Sequence, residues 1–379
     1  MDCTKAFDTI QQSLLFQKML KANIPEIIVR LLIFIYTKQT ADVKWQNSYS
    51  KEFPMGNGVR QGGVLSPILF CFYMNDLFKL MKESKNGCYI GTYYAGCFGY
   101  ADDLLLLSPS RNGLQELLTI AEKYAEEHSI TFSTNPDPKK SKTKGMIFCK
   151  KDLKYECAKL ILNGNPLPWE PSAKYLGNRL TDKINGLSDD VIEKRARYVQ
   201  RNCEILQEFP YAHPELICKL NRIFNSSFCG SVLWDLSSEN VNSLINTWSV
   251  SVRHMWNLPL QTHRYFIEPL GGTHLKMMLY TRFENFIDSI KNGKKLAAKY
   301  LLELIKDNTE TITGRNIKTI NNDTKNLEFE PCPVKEKWRI NQIKELVEVK
   351  QKNLFVVFDD GEELSEENID DMLDYIAIT

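Results

Sequence analysis

Residues 97–100 and 104–107 are two short apolar runs that close around Ala101-Asp102-Asp103. Runs of four are too short for a stable helix, and so brief a polar break suits a tight turn. The stretch therefore reads as a β-hairpin with an acidic tip. Two adjacent carboxylates repel, and a strand on either side holds them in place. A third acid, Asp2, stands at the end of a short segment that enters a helix. A divalent cation among three carboxylates relieves the repulsion, and Mg²⁺ takes oxygen ligands of this kind. Alone, Asp-Asp is also an ordinary turn, since Asp is common there.

Elsewhere the apolar spacing is mostly helical. Residues 8–22 put Ile10, Leu14, Leu15 and Met19 on one face. Asn23 fits a left-handed C-cap, and Pro25 opens a second helix to about Tyr36. Residues 41–65 are mixed and glycine-rich, with strand-like alternation around Val43 and Trp45. Ser66-Pro67 reads as an N-cap with proline at the first helical position, opening an apolar helix to about Lys82. A helix over 113–128 carries Leu114, Leu117, Leu118, Ala121 and Ala125 on one face. Residues 144–148 and 159–162 read as strands. Residues 189 to about 304 are helical by period, with breaks at Pro210, Pro214, Pro259 and Pro269. Beyond about Asp307 the chain turns polar and irregular, with an amphipathic stretch at 335–350 and a strand-like run at 354–358. The pattern is α+β in the first half and α in the second.

Composition narrows the class. The 379 residues hold 25% charged and 43% apolar side chains, which excludes collagen-like, wholly disordered and disulfide-stapled chains. The ten cysteines form no CxxC pair, so no zinc finger or knuckle is indicated, and they read as small buried hydrophobes in a reducing compartment. The N-terminus has no apolar signal region, and no apolar run approaches the ~20 residues of a membrane-spanning helix. The expected location is intracellular, cytoplasmic or nuclear, not secreted. The balance of 48 Lys and Arg against 47 Asp and Glu argues at first against a nucleic-acid binder. However, residues 357–379 hold nine acids and no base, leaving 48 bases against 38 acids, a balance of +10, in the rest.

Five segments occur in a fixed order. They are Asp2-Cys3-Thr4-Lys5-Ala6-Phe7-Asp8, Gly58-Val59-Arg60-Gln61-Gly62-Gly63-Val64-Leu65-Ser66-Pro67, Tyr100-Ala101-Asp102-Asp103, Asn135 with Lys142-Thr143, and Ala173-Lys174-Tyr175-Leu176-Gly177. They resemble motifs A to E of the reverse transcriptases of non-LTR (LINE-type, jockey-like) retrotransposons. Each motif is weak alone, but five in this order and spacing are specific. The likeness is firm over 1–180 and loose over 180–300.

The resemblance implies a right-hand polymerase palm, an antiparallel sheet with helices, over 1–180. A mostly helical thumb or connection would occupy 181–306, and a polar C-terminal region with an acidic tail 307–379. It implies an RNA-directed DNA polymerase that joins a deoxynucleoside triphosphate to a primer 3′-hydroxyl, with an RNA template and a DNA primer as partners. Asp2, Asp102 and Asp103 would hold two Mg²⁺ ions, for which Mn²⁺ can substitute. Phe7 would be the steric gate against a ribose 2′-hydroxyl. Gln61 and Gly62 would lie under the template base and nascent pair, with Tyr100 beside the substrate. Lys142 would approach the incoming triphosphate, as a proton donor to pyrophosphate. Lys174, Tyr175, Leu176 and Gly177 would grip the primer; their plain alternative is an ordinary hairpin turn.

Basic residues fit a phosphate-bearing partner. Residues 139–159 hold eight lysines against two acids, and Lys194, Arg195, Arg197 and Arg201 follow on one helix. Solvated helix faces are the bland alternative. Trp234, Trp248, Trp256 and Tyr265 read as core. Where the family has a fingers region and an endonuclease upstream, this sequence starts at motif A. The expectations are therefore an unpaired strand at Asp2 and little or no polymerase activity from the chain alone. The alternatives are a non-catalytic nucleic-acid-binding remnant and a degenerate retroelement product.

Overall fold

The computed structural model describes residues 1–137, 140–149, 157–183, 187–262, 267 and 270–326. The stretches at 335–350, 354–358 and 357–379, with Tyr265, Pro269, Lys139, Lys150, Lys151 and Lys154, lie outside them. The described chain is α+β and divides into two units, 1–186 with 293–304, and 187–292 with 305 onward.

In the first unit, α1 (Gln12–Lys21) and α2 (Glu26–Thr37) form a helical hairpin. Asn23 takes φ 57°, and the Ile24 and Asn23 amides donate to the Met19 and Leu20 carbonyls at 3.1 and 3.0 Å. The left-handed C-cap is thus formed. Four two-residue strands follow: β1 (Thr40–Ala41) pairs with β4 (Phe53–Pro54), and β2 (Lys44–Trp45) with β3 (Ser48–Tyr49). Helix α3 spans Ser66–Glu83. Ser66 is its first residue rather than its cap, and its hydroxyl donates to the Arg60 carbonyl. Serine there closes the glycine-rich turn instead of the helix end.

The remaining pairs of this unit are β5 (Tyr89–Ile90) with β6 (Tyr93–Tyr94), and β7 (Cys97–Tyr100) with β8 (Asp103–Leu106). After α4 (Arg111–Glu127) come β9 (Leu160–Leu162) with β10 (Asn165–Leu167), and β11 (Ser172–Tyr175) with β12 (Asn178–Thr181). Every pair is antiparallel. Residues 144–148 are not a strand; Gly145 makes a single parallel bridge to Trp169. The core gathers Ile10, Leu15, Phe70, Tyr73, Leu77, Leu117, Ala121, Phe132 and Leu162 from α1, α3, α4 and the strands. Each buried aliphatic side chain contributes roughly 1.5–3 kcal/mol. Beside them, the nearly buried Lys18 ammonium donates to the Tyr73 carbonyl, the Asp76 carboxylate and the Tyr124 hydroxyl at 3.1, 2.9 and 2.7 Å.

In the second unit, α5 (Ser188–Glu208) and α7 (Glu239–Met255) pack together, with α6 (Pro214–Leu220) and a π-turn at Asn221–Asn225 beside them. Helix α8 spans Leu275–Asn292, α9 Leu296–Ile305 and α10 Ile312–Asn326, with residues 296–304 of α9 counted in the first unit. Trp234, Trp248 and Trp256 are buried, as their pattern implies. The polar region expected beyond Asp307 begins instead with α10, because Asn316 is fully buried. It accepts from the Leu236 amide at 2.8 Å and donates to the Trp234 carbonyl at 2.7 Å.

The basic face of α5 is partly turned to internal use. Lys194 pairs with the buried Asp190 at 2.9 Å, Arg195 donates to Ser243, and Arg197 pairs with Glu193. The cysteines correct a second expectation: all described ones are free, yet Cys71, Cys149, Cys203 and Cys229 are exposed. No helix among the described residues is long and apolar enough to cross a membrane.

Candidate active site

The β7–β8 hairpin has a two-residue loop, Ala101-Asp102, with Tyr100 paired to Asp103. Ala101 takes φ 50°, a left-handed conformation that costs a side-chain-bearing residue about 1 kcal/mol. Beside β8 runs the first segment of the chain. Asp2 bridges Asp103, and the Leu104 amide donates to the Met1 carbonyl at 2.9 Å. On its other edge Cys3 bridges Phe132, and the Ser133 amide donates to the Asp2 carbonyl at 2.8 Å. The segment is therefore bonded on both edges, contrary to the expected unpaired strand. Hairpin and segment together bring Asp2, Asp102 and Asp103 to one end of the strands.

Their fields overlap. Burial first and the Asp102 charge second push the Asp103 carboxyl above its ordinary range; the Met1 amino group pulls it back, and the Asp2 charge adds the smallest push. Burial chiefly, with Asp102 next, pushes the Cys3 thiol beneath them up to about 12. Lys142 approaches the same cluster, with its ammonium 3.5 Å from Asp2 Oδ2. Among the described residues no three acidic, histidine or cysteine side chains converge as a ready metal cluster. One oxygen of Asp2 is engaged by Lys142. The donor set itself, three mutually repelling carboxylates, suits a hard divalent cation.

The other singled-out residues surround this cluster or lie farther along the same unit. Tyr100 is 66% exposed at the hairpin end. Phe7 packs its ring 5.4 Å from Phe70 at the edge of the core. The glycine-rich loop is bonded to the segment after Asp2: the Gly58 amide donates to the Ile10 carbonyl at 2.8 Å, and the Val59 amide to the Phe7 carbonyl at 2.7 Å. Gly58 takes φ 82°, and a Cβ there would stand 2.9 Å from the Phe7 and Asp8 carbonyl oxygens. Gly62 also has positive φ, but open space around it. Gln61 reaches back to Asp8 Oδ1 at 3.4 Å.

Lys174 to Gly177 span the β11–β12 turn, where Leu176 and Gly177 are both left-handed and Lys174 and Leu176 are exposed. Tyr175 feels the hairpin: burial first and the Asp103 charge second push its phenol upward. Motif residue Asp8, holding Gln61, and Gln12, donating to the Gly58 carbonyl at 3.0 Å, were not singled out by the sequence pattern. Gln12 carried a signal, being a polar residue one helical turn before Leu15 on the core-facing side.

Asp2, Asp102 and Asp103 thus lie at one end of a hairpin and its neighbouring strand on an α+β unit, with Lys142 against Asp2 and the glycine-rich loop bonded to the segment that follows Asp2. Residues 1–180, just under half of the chain, match the family model "Reverse transcriptase (RNA-dependent DNA polymerase)". It is 27% identical over 183 residues to the Pol polyprotein of type-1 retrotransposable element R2 from Nasonia vitripennis, covering 47% of this chain and 17% of that protein. It is 30% identical over 190 residues to the probable RNA-directed DNA polymerase of transposon BS from Drosophila melanogaster, covering 48% and 20%. Against the RNA-directed DNA polymerase of mobile element jockey, from the same fly, identity is 25% over 193 residues, covering 48% and 19%. The matched stretch is about half of this chain and a fifth or less of each of these relatives.

Proposed function

We propose that this chain is the polymerase portion of a retroelement protein that copies RNA into DNA. The observation that carries this reading is the meeting of Asp2, Asp102 and Asp103 at one strand end, inside the stretch that matches the reverse transcriptase family. Those carboxylates would hold two Mg²⁺ ions, with Mn²⁺ as substitute. Bound there, the cations supply charge neutralisation for the attacking and leaving oxygens of an in-line displacement.

The chain's own groups do the positioning. Lys142, already at the edge of the acidic cluster, gives its proton to the departing pyrophosphate. The Phe7 ring, fixed by Phe70 and the core, sets a wall that a ribose 2′-hydroxyl meets and a deoxyribose clears. Gln61, steadied by Asp8, and Gly62, with no neighbour above it, form the floor for the template base and nascent pair. The exposed turn Lys174 to Gly177 meets the primer strand. The partners are thus an RNA template, a DNA primer and deoxynucleoside triphosphates.

The chain spans only part of the length of these relatives; we propose that its extension activity is low because Lys142 engages an oxygen of Asp2 that the cations would need. The test is primer extension on an RNA template by the full chain, with Asp102→Asn beside it. The expected result is weak, divalent-cation-dependent extension that Asp102→Asn abolishes. Extension that persists in Asp102→Asn overturns the metal assignment. Salt-sensitive RNA binding with no extension at any cation concentration supports a non-catalytic remnant instead.

A further inference from the structure

Helix α2 reads Glu-Ile-Ile-Val-Arg-Leu-Leu-Ile-Phe-Ile-Tyr-Thr and has apolar residues on two faces. Val29, Leu32 and Tyr36 turn inward and are buried. Ile27, Ile28, Leu31, Phe34 and Ile35 make a second stripe, and each is between 45% and 71% exposed. A helix apolar on both sides is normally covered on both. Scattered exposed hydrophobes are ordinary, but five large ones in register on one helix mark an interaction surface.

We infer that this face pairs with the same face of a second copy of the chain, antiparallel about a twofold axis. Three observations select that occupant. The spacing of Ile27, Leu31 and Phe34 is four then three residues, the seam along which two helices interlock. A twofold contact requires a self-complementary surface, and this stripe meets itself with like against like. Charge agrees: α2 begins with Glu26, whose Oε1 accepts from Arg30 of the same helix at 2.7 Å, and ends beside Lys38, so antiparallel pairing brings the partner's Lys38 to the exposed carboxylate and opposes the two helix dipoles.

The area is sufficient for a modest affinity. Five half-exposed side chains of this size offer on the order of 500 Å² per copy. A pair therefore buries about 1,000 Å², the lower bound for specific association. The acidic cluster plays no part in this contact, so the inference stands or falls apart from the polymerase reading.

Sedimentation equilibrium of the full chain at tens of micromolar tests it, with Leu31→Glu, Phe34→Glu and a charge swap at Glu26 and Lys38. The expected result is a monomer–dimer equilibrium for the unaltered chain. Leu31→Glu and Phe34→Glu should each raise the dissociation constant at least about tenfold while far-ultraviolet circular dichroism stays the same. Glu26→Lys should weaken the dimer, and adding Lys38→Glu should restore it. A monomer at all concentrations, aggregation without a discrete dimer, or a dimer indifferent to Leu31→Glu and Phe34→Glu would overturn the inference.

Discussion

At the scale of single residues, two cations explain much of the first unit's behaviour. Lys142 engages an oxygen of Asp2 that the proposed divalent cation would also take. Because the lysine is 71% exposed, its hold is worth at most about 1 kcal/mol. Lys142→Met should thus tighten Mn²⁺ binding by up to about fivefold, read by paramagnetic resonance with no substrate present; unchanged or weaker binding would sink the competition. The second cation, Lys18, acts with burial on His128. His128 stacks 3.7 Å from Tyr124, and its Nδ1 donates to the Tyr124 carbonyl at 2.9 Å. Burial first and the Lys18 charge second lower its pKa from 6.5, against weaker opposite pulls from the Tyr124 bond, Glu127 and Asp76. A base with a lowered native pKa favours folding while it is neutral. Its contribution is full above about pH 6.5 and shrinks as pH falls through the unfolded-state value, levelling below the native one. Urea denaturation from pH 7.5 to 5.5 should show a steeper loss of stability in the unaltered chain than in His128→Phe, and parallel curves would refute the link.

At the scale of elements, the glycine-rich loop separates stability from function. Gly58→Ala combines a left-handed backbone with two carbonyl oxygens 2.9 Å from the new carbon, and neither oxygen belongs to a movable side chain. It should cost at least about 2 kcal/mol of unfolding free energy. Gly62→Ala meets open space and carries only backbone strain, about 1 kcal/mol. If Gly62 forms the proposed floor of the nascent pair, its larger effect should fall on primer extension, because the new methyl group would enter that space. Equal stability losses, or full extension by Gly62→Ala, would contradict this division. Local chemistry made several elements legible in the sequence. Asn23 ended α1 because a left-handed residue was required there, and the hairpin around Ala101-Asp102 followed from two apolar runs and a two-residue break. Tertiary effects hid the others. Residues 144–148 have strand-like side chains but only one bridge, and strand formation needs a partner that no local pattern names. Ser66 looked like a cap because its competing acceptor, the Arg60 carbonyl, is delivered by the turn before it. Helix α10 was missed because a buried amide, Asn316, anchors it into a polar-looking sequence. The three acids of the site were legible as residues. Their meeting was legible only through shared cation chemistry and the order of the motifs, since it depends on strand-to-strand bonds between positions about a hundred residues apart.

At the scale of the whole molecule, the neutral total charge of +1 conceals a division. Residues 1–356 carry +10, and the nine acids of 357–379 cancel most of it. Charge that close in sequence acts over a Debye length of about 8 Å in physiological salt, so its effect depends on whether the tail visits the basic surface. That surface is smaller than the lysine and arginine count implies. Lys194, Arg195 and Arg197 are held by Asp190, Ser243 and Glu193 within the second unit, and Arg201 donates to the Phe224 carbonyl; in the first unit Lys174 is exposed, and Lys142, though 3.5 Å from Asp2, is 71% exposed. Nucleic-acid affinity should therefore be set mainly by the first unit, and the tail should weaken it by competing with phosphates for the same cations. Deleting 357–379 should tighten RNA binding several-fold at about 50 mM salt, and the advantage should vanish as salt screens both partners. Fluorescence anisotropy with a short RNA across a salt series reads both quantities. Equal affinity of the two chains at low salt would show that the tail does not reach the basic surface. An advantage that persists undiminished at high salt would assign the effect to something other than charge.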